Sequence, residues 1–231
     1  MIEMKLFAAI EEVFENPEEI YKTLFFPLLT IDLSQMDKGE GCVHFLSVWG
    51  NGGANDYMIE DDISVGFDFV RFGWTGKKYL FDNSLFNPEY RETLLKWYNE
   101  IEKEYVENKI DYLTPKSSIE AQKSFLTQQN KMREKISLDY QLYATSLINY
   151  WVTRDKYFET GKFIQGSAYT DDMNDEERKI FISLSKTKKT TRNNELIGKV
   201  CGYNYKDYGE DEISLYIDRK ESKVFQKFGW S

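Results

Sequence analysis

The sequence predicts an α+β fold: antiparallel β units on either side of a helical insertion at about 88–150, with a helical N-terminus in front. Three observations lead there. The first is a repeated passage. Glu60-Asp61-Asp62-Ile63-Ser64-Val65-Gly66-Phe67-Asp68 is echoed by Glu210-Asp211-Glu212-Ile213-Ser214-Leu215-Tyr216-Ile217-Asp218. Phe69-Val70-Arg71-Phe72-Gly73-Trp74-Thr75 then returns as Phe225-Gln226-Lys227-Phe228-Gly229-Trp230-Ser231. The second is a run with helical period opened by Asn87-Pro88, a start signal in which Asn caps and Pro occupies the first turn. The third is a change to period two, the signature of strands, from about Cys42 onward and again in the C-terminal third.

In chain order, Leu6, Ile10, Val13 and Phe14 recur at three- and four-residue spacing, with Glu11, Glu12 and Glu15 opposite, which predicts a helix. Asn16-Pro17 restarts it, Ile20, Leu24 and Phe25 continue the apolar stripe, and Pro27 ends it, giving helices within 3–26. A β unit over 42–83 follows. It contains Val43 to Val48, the glycine loop Gly50 to Gly53, and a strand with Ile63, Val65, Phe67 and Phe69 on one face. Thr75-Gly76 then turns the chain into Lys78 to Phe81 as a hairpin. The helical segment 88–150 places Tyr90, Leu94, Trp97, Ile101 and Tyr105 on one face, breaks at Thr114-Pro115, and restarts from Ser117 or Ser118 through Phe125, Leu126 and Met132. Tyr140, Tyr143, Leu147 and Trp151 suit a further helix better than a strand. A second β unit spans 157–231, with segments at Lys162 to Ile164, Lys179 to Ser183, Leu196 to Tyr203, Ile213 to Ile217 and Val224 to Phe228. Lys186, Lys188, Lys189 and Arg192 mark a surface loop between two of them.

No Pro/Gly/Ser-rich linker separates these parts, so 1–231 reads as one composite domain. The repeat suggests an internal duplication, with both Phe-Gly-Trp tips, at Trp74 and Trp230, in a shared interior. Strand-end glycine tolerates the backbone needed to fold an indole back onto a sheet.

Composition bounds the function. With 231 residues and 16 % aromatics the chain can bury a core without disulfides or metals. A net charge of −9 argues against duplex nucleic acid as ligand and fits a basic protein partner. Two cysteines, Cys42 and Cys201, are too few for a secreted disulfide scaffold. No signal peptide or membrane span is visible, so a cytoplasmic protein is expected.

The residues that could carry chemistry do not assemble into a known constellation. His44 is the single histidine; Ser47, three residues on along a strand, points to the opposite face. Cys42 and Cys201 read as small buried hydrophobes. Asp171 to Glu177 offers many oxygens without the glycine and spacing of a calcium loop, and reads as an acidic helix start. Thr75-Gly76-Lys77 and Thr160-Gly161-Lys162 lack the rest of a phosphate loop. No catalytic residue, cofactor or metal ligand is assigned.

In being small, acidic and aromatic-rich without a catalytic constellation, the chain looks like bacterial immunity proteins, which bind and block a toxin domain that is often basic. That resemblance in kind implies a protein-binding module that neutralises a basic partner. The contact residues expected for it are Glu60, Asp61, Asp62, Glu100, Glu104, Glu107, Asp171 and Asp172, with tyrosines as anchors. The alternative is a carboxylate- or divalent-metal-dependent enzyme with its site between the two β units.

Overall fold

A computed structural model describes residues 2–50, 57–61, 63–114, 137–161, 163, 182–185, 190–191 and 194–230. Its contacts sort the chain into two compact units. Unit 1 is Met1–Leu95, Ile182–Gly202 and Glu210–Ser231; unit 2 is Lys96–Phe181 and Tyr203–Gly209. The fold is α+β and both sheets are antiparallel.

Unit 1 holds the two sheets. Three strands, β1 (Met4–Leu6), β2 (Phe25–Asp32) and β3 (Cys42–Val48), pair in that order. Eight others are β4 (Val65–Gly66), β5 (Phe69–Trp74), β6 (Tyr79–Leu80), β7 (Ile182–Leu184), β8 (Thr190–Thr191), β9 (Asn194–Val200), β10 (Glu212–Asp218) and β11 (Lys223–Gly229). They form a second sheet in the order β4-β5-β11-β10-β9-β7, with β6 beside β5 and β8 beside β9.

The N-terminal helix predicted over 3–26 is replaced by β1 and two single turns, α1 (Ile10–Val13) and α2 (Tyr21–Leu24), before β2 begins. Two physical reasons account for the difference. β2 is buried on both faces over its first five residues, so it shows no alternation. Pro27 also sits where the β2–β3 register slips, a bulge that needs no ladder N–H from it. The apolar positions that looked helical feed an aromatic core instead. Phe14 meets Tyr21 edge-on at 4.7 Å and Phe25 at 5.0 Å, and Phe72 stacks on Tyr79 at 4.9 Å.

The Ile63–Phe69 strand is also corrected. The chain turns back at Phe67-Asp68, pairing Gly66 with Phe69, and leaves Ile63 and Phe67 exposed. The Thr75-Gly76 hairpin forms as expected, with Trp74 opposite Tyr79. In the repeat, β5 and β11 lie side by side, Phe69 opposite Lys227 and Gly73 opposite Lys223. Phe72 and Phe228 are both buried, but Trp230 is 41 % exposed, so the second tip is not in the interior.

The outer edge of β3 is closed without a neighbouring strand. Cys42 N–H donates to the Gly76 carbonyl, and the Trp74 indole donates to the Cys42 carbonyl. The Tyr79 hydroxyl accepts from the His44 N–H and donates to the His44 carbonyl, 2.8 Å each. The Gln226 amide does the same for Leu46, at 2.9 and 3.3 Å, and Glu210 accepts from the Val48 N–H. Alternate residues of β3 thus satisfy the backbone donors and acceptors that an unpaired edge leaves open.

Unit 2 is mostly helical in its described parts, with the turn segment Tyr203–Gly209 added to it. It takes α3 (Pro88–Glu107) from Lys96 onward, α4 (Lys109–Leu113) and α5 (Leu138–Thr160). Asn87 Oδ1 accepts from the Glu89 N–H at the start of α3, and Ser137 Oγ accepts from the Tyr140 N–H at the start of α5. The ambiguous stretch around Tyr140 to Trp151 is therefore helix, and it runs on to Thr160, past the expected start of the second β unit at 157. The helix expected from Ser117 to Met132 lies outside the described residues. Among the described residues no helix is long and apolar enough to cross a membrane.

Candidate interaction surface

Helix α3 has two faces, as its spacing demands. Leu94, Tyr98, Ile101 and Tyr105 are buried, and Trp97 and Tyr98 meet Tyr140 and Trp151 of α5 edge-on at 5.5 Å each. On the other side Glu100, Glu104 and Glu107 are exposed at four- and three-residue spacing, a single stripe on a helix. Val106 near the end of α3 and Ile110 on α4 are 64 % and 82 % exposed. Asp111 on α4 is exposed as well. Glu102, between Glu100 and Glu104 in the sequence, lies part-buried and is hydrogen-bonded with Tyr98.

Lys109 and Arg154 pair with a buried carboxylate. Asp155 of α5 is 7 % exposed and takes Lys109 at 2.8 Å, Arg154 at 2.7 Å and the Tyr105 hydroxyl at 3.0 Å. Burial alone would raise the Asp155 pKa. The bonds from Arg154, Lys109 and Tyr105 outweigh it and hold the carboxyl below its usual range. On α3 itself Lys103 lies 3.8 Å from Glu107, and Lys96 is exposed four residues before Glu100. The residual negative field reaches Tyr140, whose hydroxyl is pushed up first by burial and then by Glu100 and Glu104.

The other predicted contact residues divide. Glu60 is exposed beside exposed Ile59. Asp61 is exposed too, but its Oδ1 accepts from the N–H groups of Ile63, Ser64 and Val65 and so shapes the approach to β4. Burial acts to raise its pKa, and those backbone bonds bring it below the usual value. Asp62, Asp171 and Asp172 lie outside the described residues.

Elsewhere, His44 is buried, with Nδ1 2.8 Å from Thr30 Oγ1 and Nε2 2.8 Å from the Lys77 carbonyl. Ser47 does point away from it and donates to Glu210 at 2.9 Å. Glu210 is fully buried, its Oε1 shared by Ser47 and the Val48 N–H, its Oε2 pressed against Gly202. Sequence reasoning saw Glu210 only as the counterpart of Glu60, and missed Asp155 altogether. A charged residue two-thirds along a helix gives no sign of burial until its partners are placed. Cys42 and Cys201 are free thiols, and burial pushes the Cys42 thiol up. Among the described residues no three His, Cys, Asp or Glu side chains are grouped to hold a metal ion.

No family model, no curated protein and no solved structure matches this chain.

Proposed function

We propose that the protein is a binding module that neutralises or regulates a basic protein partner, in the manner of an immunity protein blocking a basic toxin domain. Its contact surface is the α3 stripe of Glu100, Glu104 and Glu107, with Val106 and Ile110 as the apolar part. The observation that carries this reading is the set of exposed carboxylates at Glu100, Glu104 and Glu107 on one helix, with Lys96 and Lys103 as exposed cations on α3. Exposed apolar side chains together with an acidic stripe suit a partner that is steered by its cations and then buries an apolar patch. Glu60, beside exposed Ile59, extends the same reading to unit 1.

The test is a triple reversal, Glu100→Lys, Glu104→Lys and Glu107→Lys, on a surface where substitution costs little stability. Partners captured from the host are identified, and association of the most basic one is timed with native and variant protein. The expected result is an unchanged melting temperature with an association rate about tenfold or more lower at low salt, a gap that narrows as salt is raised. Equal rates at low salt would remove α3 from the contact.

Among the described residues, the most deeply buried carboxylate that the alternative enzyme reading could draw on is Glu210. It is enclosed on all sides, and its Oε1 is already committed to Ser47 and Val48, which favours a structural role.

A further inference from the structure

We propose that His44 is an acid-sensitive latch that holds the three-stranded sheet to the β5–β6 hairpin of the eight-stranded sheet. All four polar groups of this residue are engaged, and three of them by the hairpin. Its N–H and carbonyl both bond the Tyr79 hydroxyl, and its ring Nε2 bonds the Lys77 carbonyl. The fourth, Nδ1, faces Thr30 on β2, the residue directly across the strand pair.

The partners fix the protonation state. A carbonyl only accepts, so Nε2 carries the hydrogen; Nδ1 is then a bare lone pair that accepts from the Thr30 hydroxyl. The next proton must enter at Nδ1. It would force the Thr30 hydroxyl to turn its hydrogen away, and would set a charge on a residue that is 3 % exposed. The charged groups whose fields reach the ring are Glu12 on α1 and Lys5 on β1. They act in opposite senses and are paired with each other, so neither compensates the new charge well. Tyr79 packs its ring edge-on at 5.1 Å and offers no charge.

Burial accordingly pushes the imidazole down from 6.5 to about 4, against the raising effects of the Lys77 bond and Glu12. The unfolded or opened chain takes up the proton more readily than the closed one. Stability from this site is therefore full above pH 6.5 and is lost progressively as the pH falls through about 4. The opening equilibrium shifts by roughly 300-fold across that window. Asp207 in unit 2 works in the other direction: burial raises its carboxyl to about 6, so acid favours its folded state. Whole-protein melting would blend the two, and a local readout is needed.

The experiment uses the single histidine. Imidazole resonances of the intact protein are followed from pH 8 to 4, together with the hydrogen-exchange protection of the His44 amide. The expected result is a neutral ring with the proton on Nε2 down to about pH 5, and a protection factor that falls tens of fold between pH 7 and 4.5. His44→Gln keeps a donor for the Lys77 carbonyl and should hold its protection within about threefold over the same range. An ordinary midpoint near 6.5 in the folded protein, or an equal loss of protection in His44→Gln, overturns the latch. Should the variant not fold, the imidazole titration of the native chain decides alone.

Discussion

The two copies of the repeated passage share letters and strand parity, yet they are put to different uses. Over Phe69–Trp74 and Phe225–Trp230 the same positions face inward: Val70 with Gln226, Phe72 with Phe228. Away from that shared strand they part. Glu60 is exposed while Glu210 is buried under β3; Trp74 bonds Cys42 beneath the Arg219 guanidinium, 5.6 Å away, while Trp230 is 41 % exposed. The lead-in strands differ most. β10 runs seven residues because β9 and β11 flank it, whereas β4 has β5 alone and runs two. Alternation is a local property of the chain, but strand length and end-group burial are set by the neighbours each copy finds.

One residue marks where the copies diverge. A side chain at Gly66 would come within 2.2 Å of the Phe69 ring, which folds back over it in the tight turn. Its counterpart, Tyr216, lies inside a strand paired continuously with β11, where the register against β9 shifts, and its ring meets Phe225 at 5.8 Å.

Paired substitutions test the comparison. The largest effect should come from the tips. Phe228→Ala removes a core ring and should cost about 3–5 kcal/mol in urea unfolding, while Trp230→Ala should cost under about 1 kcal/mol. Removing Phe228 to Ser231 together should therefore cost about as much as Phe228→Ala, since Phe228 is the buried aromatic of that stretch. Comparable costs for the two substitutions would mean that both tips are core. Next is the acidic lead-in. Glu210→Ala strands the Ser47 hydroxyl and the Val48 N–H and should cost about 2–4 kcal/mol; Glu60→Ala should stay within about 0.5 kcal/mol. If the two acids cost the same, their different burial has no energetic meaning. The smallest is the turn. Gly66→Ala should destabilise by about 1–3 kcal/mol through displacement of Phe69, against about 1 kcal/mol for Tyr216→Ala. A neutral Gly66→Ala would show that the ring moves freely.

Much of the framework was legible. Asn87-Pro88, the Thr75-Gly76 hairpin and the helical spacing of Tyr140 to Trp151 each carry a local mechanism, and each formed. What failed was decided by distant partners. β2 escaped notice because a strand covered on both sides shows no period, and because a bulge shelters Pro27. The exposed carboxylates of α3 could be read from spacing. That Lys109 would pair with a buried Asp155 could not, since the pairing joins α4 to α5 across a long stretch of chain.

The side chains lining β3 have a consequence for how this molecule behaves in a crowd. A bare ribbon margin is adhesive: another chain can dock on it and begin a polymer. Here that margin is stoppered from within by an indole, a phenol, an amide and a carboxylate, each replaceable by a single codon change. Protection of that margin thus rests on a handful of individual residues, and Tyr79 and Gln226, each covering both polar groups of one β3 residue, are the stoppers whose removal uncovers two backbone groups at one stroke.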